Sequence, residues 1–170
     1  MSTLRVDNIQ DQGGAERRGL KTYAIICDKK DPSIDGGSFT SGAWRTRDLN
    51  TKIADPDGIV SIASNQFTLG AGDYLIEASA SAYVVNRHLT RLYNVTGSAV
   101  VQYGAMEYSW SSGNVTNRGF VVARVSLTAS TTFEIQHRSQ STQSNNGFGI
   151  HSSFTGTDSI YTVVKIYKEA

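Results

Sequence analysis

A chain of 170 residues, 39% hydrophobic and 18% charged, is large enough to bury a core of its own, so one compact domain is expected. With 16 basic residues against 15 acidic ones the formal charge is only +1, which offers no basic field for a phosphate backbone and excludes nucleic acid as an expected partner. The single cysteine, Cys27, excludes an intrachain disulfide and a thiolate metal site, and its setting in the apolar run YAIIC makes it a buried structural thiol.

Residues 1 to 21 carry charges throughout and lack the apolar core of a secretory signal. No stretch of the chain approaches the roughly 18 apolar residues of a membrane helix, so a protein made and left in a reducing cytosol, with no membrane partner, is expected. Ordering each residue costs about 1–2 kcal/mol of backbone entropy, and in this segment only Leu4, Val6 and Ile9 could repay it. The segment is read as an arm. Its alternation of Leu4 and Val6 with Arg5 and Asp7 would let it add as an extended strand to a partner's sheet edge, with Leu4, Val6 and Ile9 as docking side chains.

From residue 22 to 170 the chain reads as a head domain of short runs rich in Val, Ile, Tyr, Phe and Thr, separated by Gly, Ser, Asn and Asp. The pattern predicts strands over 22–28, 43–50, 59–63, 65–69, 73–86, 88–96, 98–108, 116–127, 131–140 and 158–168. Between the second and third, DPDG at 55–58 is a turn; it lacks the further oxygen ligands and closing glutamate of a calcium loop. No window shows a clean helical period, so the domain is predicted to be all-β.

In TFEIQHR, Phe133, Ile135 and His137 alternate with Glu134, Gln136 and Arg138, as in a strand of an outer sheet with one buried face. By contrast SIYTVVKIYK places Ile160, Val164 and Ile166 on one face and Tyr161, Val163 and Tyr167 on the other, and YAIIC and RGFVVARV are also apolar on both faces. A two-layer sandwich covers only one face of each sheet, so further copies of the chain are expected to cover the second. Tyr23, Ile25, Phe120, Val122, Tyr161, Val163 and Tyr167 are the residues assigned to that subunit interface. The alternative is that loops of the same chain cover these strands.

Nothing in the sequence announces catalysis. His88, His137 and His151 form no HxH or HxxxH pair, no GxSxG elbow occurs, and neither a metal nor a cofactor is expected. What remains is surface. The polar segments 104–117 and 139–159 carry Tyr108, Trp110, Phe148, His151 and Phe154, which suit contact with a sugar or a protein neighbour, or cap the ends of the sandwich. The arginines of the middle of the chain, Arg45, Arg47, Arg87, Arg91, Arg118, Arg124 and Arg138, suit interfaces, so some are expected between subunits, with Glu77, Glu107 and Glu134 as available partners.

The order of segments resembles a known family. FTLGAGDYLIEASASAY (67–83), RLYNVTGSAVV (91–101), VARVSLTASTTFEIQHRS (122–139) and IYTVVKIYK (160–168) are similar to strands and hairpins of the trimeric jelly rolls typified by tumour necrosis factor and the globular head of complement first component. Ala71 stands where their strand usually has proline, and no collagen repeat precedes the head. The opening MSTLRVDNIQDQGG, the run SGAWRTRDLNTKIADPDGIVSI and NRHLTRLYN resemble small proteins and fibre-tip domains of bacteriophages, especially cyanobacterial and marine ones. These resemblances imply a homotrimeric jelly roll of about ten strands on a virion surface. Its expected role is non-enzymatic, either a capsid decoration (cement) protein bound to the major capsid protein, or the receptor-binding tip of a tail fibre or appendage that recognises host surface glycan.

Overall fold

The computed structural model describes residues 22–169. Eleven strands, with no helix among the described residues, run β1 (Tyr23–Lys30), β2 (Arg45–Thr46), β3 (Thr51–Ala54), β4 (Val60–Ala63), β5 (Gln66–Leu69), β6 (Gly72–Tyr83), β7 (Asn86–Asn94), β8 (Ala99–Ser109), β9 (Thr116–Leu127), β10 (Thr131–Ser139) and β11 (Ser159–Lys168). They form two sheets, ordered β3-β1-β11-β6-β9 and β4-β5-β10-β7-β8, with β2 attached to β10. All pairings between these strands are antiparallel. This is a jelly-roll β-sandwich. The expected strand over 43–50 is only the two-residue β2, and β3, which pairs Thr51 with Cys27 and Ala54 with Ile25, lies outside the expected segments.

The space between the sheets divides into two zones. Near the chain ends it is apolar: Ile26, Phe67, Leu69, Tyr74, Ile76, Leu92, Phe133, Ile135 and Ile166 are all buried, and Phe67 stacks on Phe133 with centroids 5.6 Å apart. Burying a side chain of this size contributes about 1.5–3 kcal/mol, so this half supplies most of the cohesion. Toward the opposite end the inward positions become Thr162 on β11, Gly119 on β9, Thr90 and His88 on β7, and His137 on β10, with Arg47 between the layers. A small cluster of Phe39, Ala82, Val85 and Phe148 closes that end.

The open edge between the two sheets is shut by β8 lying against β9. A Cβ at Gly104 of β8 would overlap the carbonyl oxygen of Phe120 on β9, so only glycine permits the backbones to approach this closely.

Candidate functional site

The outward face of the five-stranded sheet follows directly from its register. One row across it reads Tyr23, Tyr167, Leu75, Arg124; the next Ile25, Lys165, Glu77, Val122; the third Cys27, Val163, Ser79, Phe120. Tyr23 (39% exposed), Phe120 (53%) and Val122 (56%) are open to solvent, and Ile25, Val163 and Tyr167 are half-buried. Phe120, Val122, Val163 and the stem of Lys165 surround a hollow of about 250 Å³. Large apolar side chains gathered on one sheet face of a single chain mark a surface that something else covers. The one ion pair within the three rows, Lys165 to Glu77 at 3.7 Å, is itself exposed on both sides.

Tyr161 does not belong to this surface. It is 2% exposed, donates from its hydroxyl to the Ile34 carbonyl at 2.6 Å, and lies under Gly149, where any Cβ would strike its ring. Loops of its own chain therefore cover the end of the sheet that Tyr161 occupies, as the alternative reading of these strands allowed. Its neighbour Ile160, grouped by alternation with Val164 and Ile166, is 43% exposed beside the irregularity in the β1–β11 register at Cys27 and Lys29.

The loops at that end separate the aromatic candidates. Tyr108 (50% exposed), Trp110 (55%) and Phe154 (74%) are on the surface, whereas Phe148 is core, 8% exposed, packed on Phe39 at 4.6 Å and stacked under the Arg47 guanidinium at 3.9 Å. His151 is half-buried and tied to Asp35, with its Nδ1 2.7 Å from the carboxylate. Phe154, His151, Ile150 and Ile160 line a hollow of about 310 Å³ into which Arg118 also opens. Arg118 donates to the carbonyl of Tyr161 at 2.9 Å and to the Ser79 hydroxyl at 3.2 Å, meets no carboxylate among the described residues, and has its pKa lowered by desolvation.

Arg47 is one mid-chain arginine that does not sit between subunits. It is fully buried inside its own sandwich, donating to the Thr162 hydroxyl at 3.0 Å and to the Phe148 carbonyl at 2.9 Å, with Nη1 unpaired. Burial pushes its pKa down to about 9. Beside it His88 and His137, which sequence spacing kept apart, meet across β7 and β10 with ring nitrogens 2.9 Å apart. The Asn117 amide donates to the Tyr108 carbonyl, so its oxygen faces His88 Nε2 at 2.7 Å and must accept from it. With both rings neutral, the state that desolvation favours, His88 Nδ1 is an acceptor, His137 Nε2–H donates to it, and His137 Nδ1 is left with a lone pair and no donor.

Desolvation lowers both imidazole pKa values, and for His137 the charges of Arg47 and His88 add to the fall. A histidine whose folded pKa lies below its unfolded value of about 6.5 favours folding fully above that pH, and the contribution is lost as pH falls. We expect the urea unfolding midpoint to be level from pH 8 to 7 and to fall progressively as the pH drops below 6.5. A flat profile down to pH 5 would contradict the neutral pair.

Among the described residues no three His, Cys, Asp or Glu side chains gather as a metal set. No arrangement of nucleophile, base and orienting group stands out in either hollow. The docking candidates Leu4, Val6 and Ile9, with the rest of 1–21, lie outside the described residues.

No protein-family model matches the chain, and no curated protein matches it in sequence. Solved structures do match in shape. The globular domain of zebrafish complement 1qA protein superposes with a TM-score of 0.57 at 13% identity, covering 88% of this chain and 98% of that one. The Eiger tumour necrosis factor of S. frugiperda gives 0.56 at 13% identity over 88% and 92% of the two chains. PRD1 vertex protein P5 gives 0.56 at 12% identity over 90% and 100%. The fold is the jelly roll shared by these proteins. At such identities the likeness speaks for the arrangement of strands and not for a ligand.

Proposed function

We propose that the protein is a non-enzymatic homotrimer of a virion surface, with the outward face of β3-β1-β11-β6-β9 as its subunit contact. The observation that carries the trimer is the uncovered apolar strip of Tyr23, Ile25, Phe120, Val122, Val163 and Tyr167. The likeness to tumour necrosis factor and complement heads supports the stoichiometry, and the likeness to a phage vertex protein supports the particle. On this reading the head decorates a capsid, and residues 1–21 dock it to the major capsid protein or a neighbouring protein through Leu4, Val6 and Ile9. Three arms per trimer make weak single contacts effective by raising the local concentration of the second and third.

Exposed Tyr108, Trp110 and Phe154 at the loop end favour a second reading, a receptor-binding tip of a tail appendage that meets host glycan. Light scattering tests the first part: a mass three times the 18.4 kDa chain is expected, and a stable single-chain mass would sink the trimer. Binding assays with empty capsids and with host cells then separate the two roles. Deleting residues 2–14 should leave the head folded and trimeric yet abolish capsid occupancy; normal occupancy would end the docking role of the arm.

A further inference from the structure

The outer face of the second sheet carries an arrangement that neither assembly nor core packing uses. β7 and its neighbours align Arg87 with Tyr108, Leu89 with Met106 and Arg138, and Arg91 with Tyr103 and Gln136, all pointing away from the sandwich. Trp44, just before β2, reaches across β10 so that the Arg91 guanidinium lies 4.0 Å from its ring centre, while the Tyr93 ring flanks the same guanidinium at 5.0 Å. Trp44 and Tyr103 form a tilted aromatic pair, ring centres 5.9 Å apart and planes at 38°, so two flat rings stand side by side on this face. Next to the pair, Trp44, Arg87, Leu89, Met106 and Arg138 line a hollow of about 440 Å³, within the size range of ligand sites.

Charge is the second part of the observation. Arg87, Arg91 and Arg138 take part in no salt bridge among the described residues. Arg87 and Arg91 are bonded only to the side chains of Gln140 and Gln136. The one carboxylate on this face, Glu134, is 7% exposed and occupied by Gln66 and Gln136. The face is therefore locally cationic on a chain of formal charge +1. Guanidinium groups held by stacking are already oriented and lose little freedom when they take a carboxylate in two parallel hydrogen bonds.

We propose that this face binds an acidic polysaccharide, with uronic-acid carboxylates on Arg87, Arg91 and Arg138 and pyranose rings stacked on Trp44, Tyr103 and Tyr108. The inference names a ligand for the receptor reading and rests on that reading only for where the polymer comes from. An acidic peptide fits less well. β7 lies between β10 and β8 with its main chain paired on both sides, so an extended peptide finds no free strand edge here and would have to bind by side chains alone. A sugar chain needs no main-chain partner, since flat C–H faces meet the rings and hydroxyls meet Gln140 and Gln136.

The test is fluorescence titration and calorimetry of the intact protein with polygalacturonate, against neutral dextran, polyglutamate and an oligothymidylate. Polygalacturonate is expected to bind with a change in tryptophan emission, to weaken as salt rises, and to outcompete polyglutamate and oligothymidylate, with dextran silent. The emission change should persist in Trp110→Phe and vanish in Trp44→Phe. Arg87→Gln with Arg138→Gln should weaken binding at least tenfold, while Lys52→Gln on β3, which removes a like charge elsewhere, should not; unchanged thermal melting shows that the variants are folded. Equal binding by the arginine variant, or polyglutamate or oligothymidylate binding as tightly as polygalacturonate, overturns the proposal. If the protein binds none of these polymers yet adsorbs to host cells, this inference fails and the receptor reading stands. If it binds polygalacturonate but neither cells nor their acidic polysaccharide, the receptor reading fails and the site remains.

Discussion

On the proposed trimer, Phe120→Asp combined with Val122→Asp is expected to yield a folded single chain. Both positions are more than half exposed in the isolated subunit and point away from its core, so two carboxylates there cost the monomer little. In the assembly each would enter a desolvated apolar contact with no counter-charge arranged for it, and an unpaired ion in such a place costs several kcal/mol. With three copies per assembly the penalty is repeated around the axis. Mass by light scattering should fall to that of one chain while the far-ultraviolet spectrum and thermal transition of the head persist. Tyr161→Asp should behave differently, because Tyr161 is anchored within its own subunit; it should lower folding stability rather than dissociate folded chains. A double aspartate variant that stays trimeric would move the subunit contact off this sheet.

Arg47→Ala is expected to destabilise the head by about 3 kcal/mol or more, as large-to-small changes at fully buried sites do. The loss has three sources: the stack on Phe148, the hydrogen bond to Thr162, and the volume of the largest fully buried side chain in the domain. Arg47→Met should cost much less. It fills much of the same space and removes a charge whose desolvation the nearby Asp28 and Asp48 offset only in part, a situation in which an apolar replacement is often neutral or stabilising. The same variant should raise the pKa of His137, because the Arg47 charge is one of the causes holding it down. Chemical denaturation of both variants and a histidine titration by nuclear magnetic resonance read these effects. Equal losses for Ala and Met would mean that the charge itself, not the volume and stacking, holds this end of the sandwich together.

The strands were legible because period-two alternation and glycine or asparagine punctuation are local signals; the segments expected at 59–63, 65–69, 116–127 and 131–140 coincide with observed strands almost residue for residue. β3 was not legible. Thr51–Ala54 is four residues long, and its pairing to β1 is a long-range register without a local mark. Phe148 and Tyr161 were legible only as open alternatives. The polarity of SQSTQSNNGFGIHSS left Phe148 either as surface contact or as a cap on the end of the sandwich; it is the cap, because glycines at 147 and 149 let that loop lie flat against Phe39 and Tyr161, and this close approach is a tertiary fact. The histidine pair was invisible because His88 and His137 are 49 residues apart and meet only once β7 and β10 are zipped together. The uncovered strip on the first sheet could be read in outline, since apolar residues on both faces of a strand leave one face for which a single sandwich has no room.

β11, the last of the described strands, is the central strand of its sheet: it is inserted between β1 and β6, pairing Tyr167 with Tyr23 on one side and with Leu75 on the other. During translation the first strand therefore emerges long before its neighbour. At about 5–20 residues per second the stretch from Lys30, where β1 ends, to Ser159, where β11 begins, takes roughly 6 to 26 s to make, and the stretch from Tyr83, where β6 ends, roughly 4 to 15 s; over those intervals each strand has an edge without its partner. Closure of the subunit sheet, and of the apolar face proposed to join three subunits, must wait until residues 159–168 have left the ribosome. Assembly is in that sense timed by the position of one strand, and a nascent chain cannot present its finished partner surface to a neighbour early. Until then the edges of β1 and β6 are the segments that a chaperone, or a second nascent chain, would meet first.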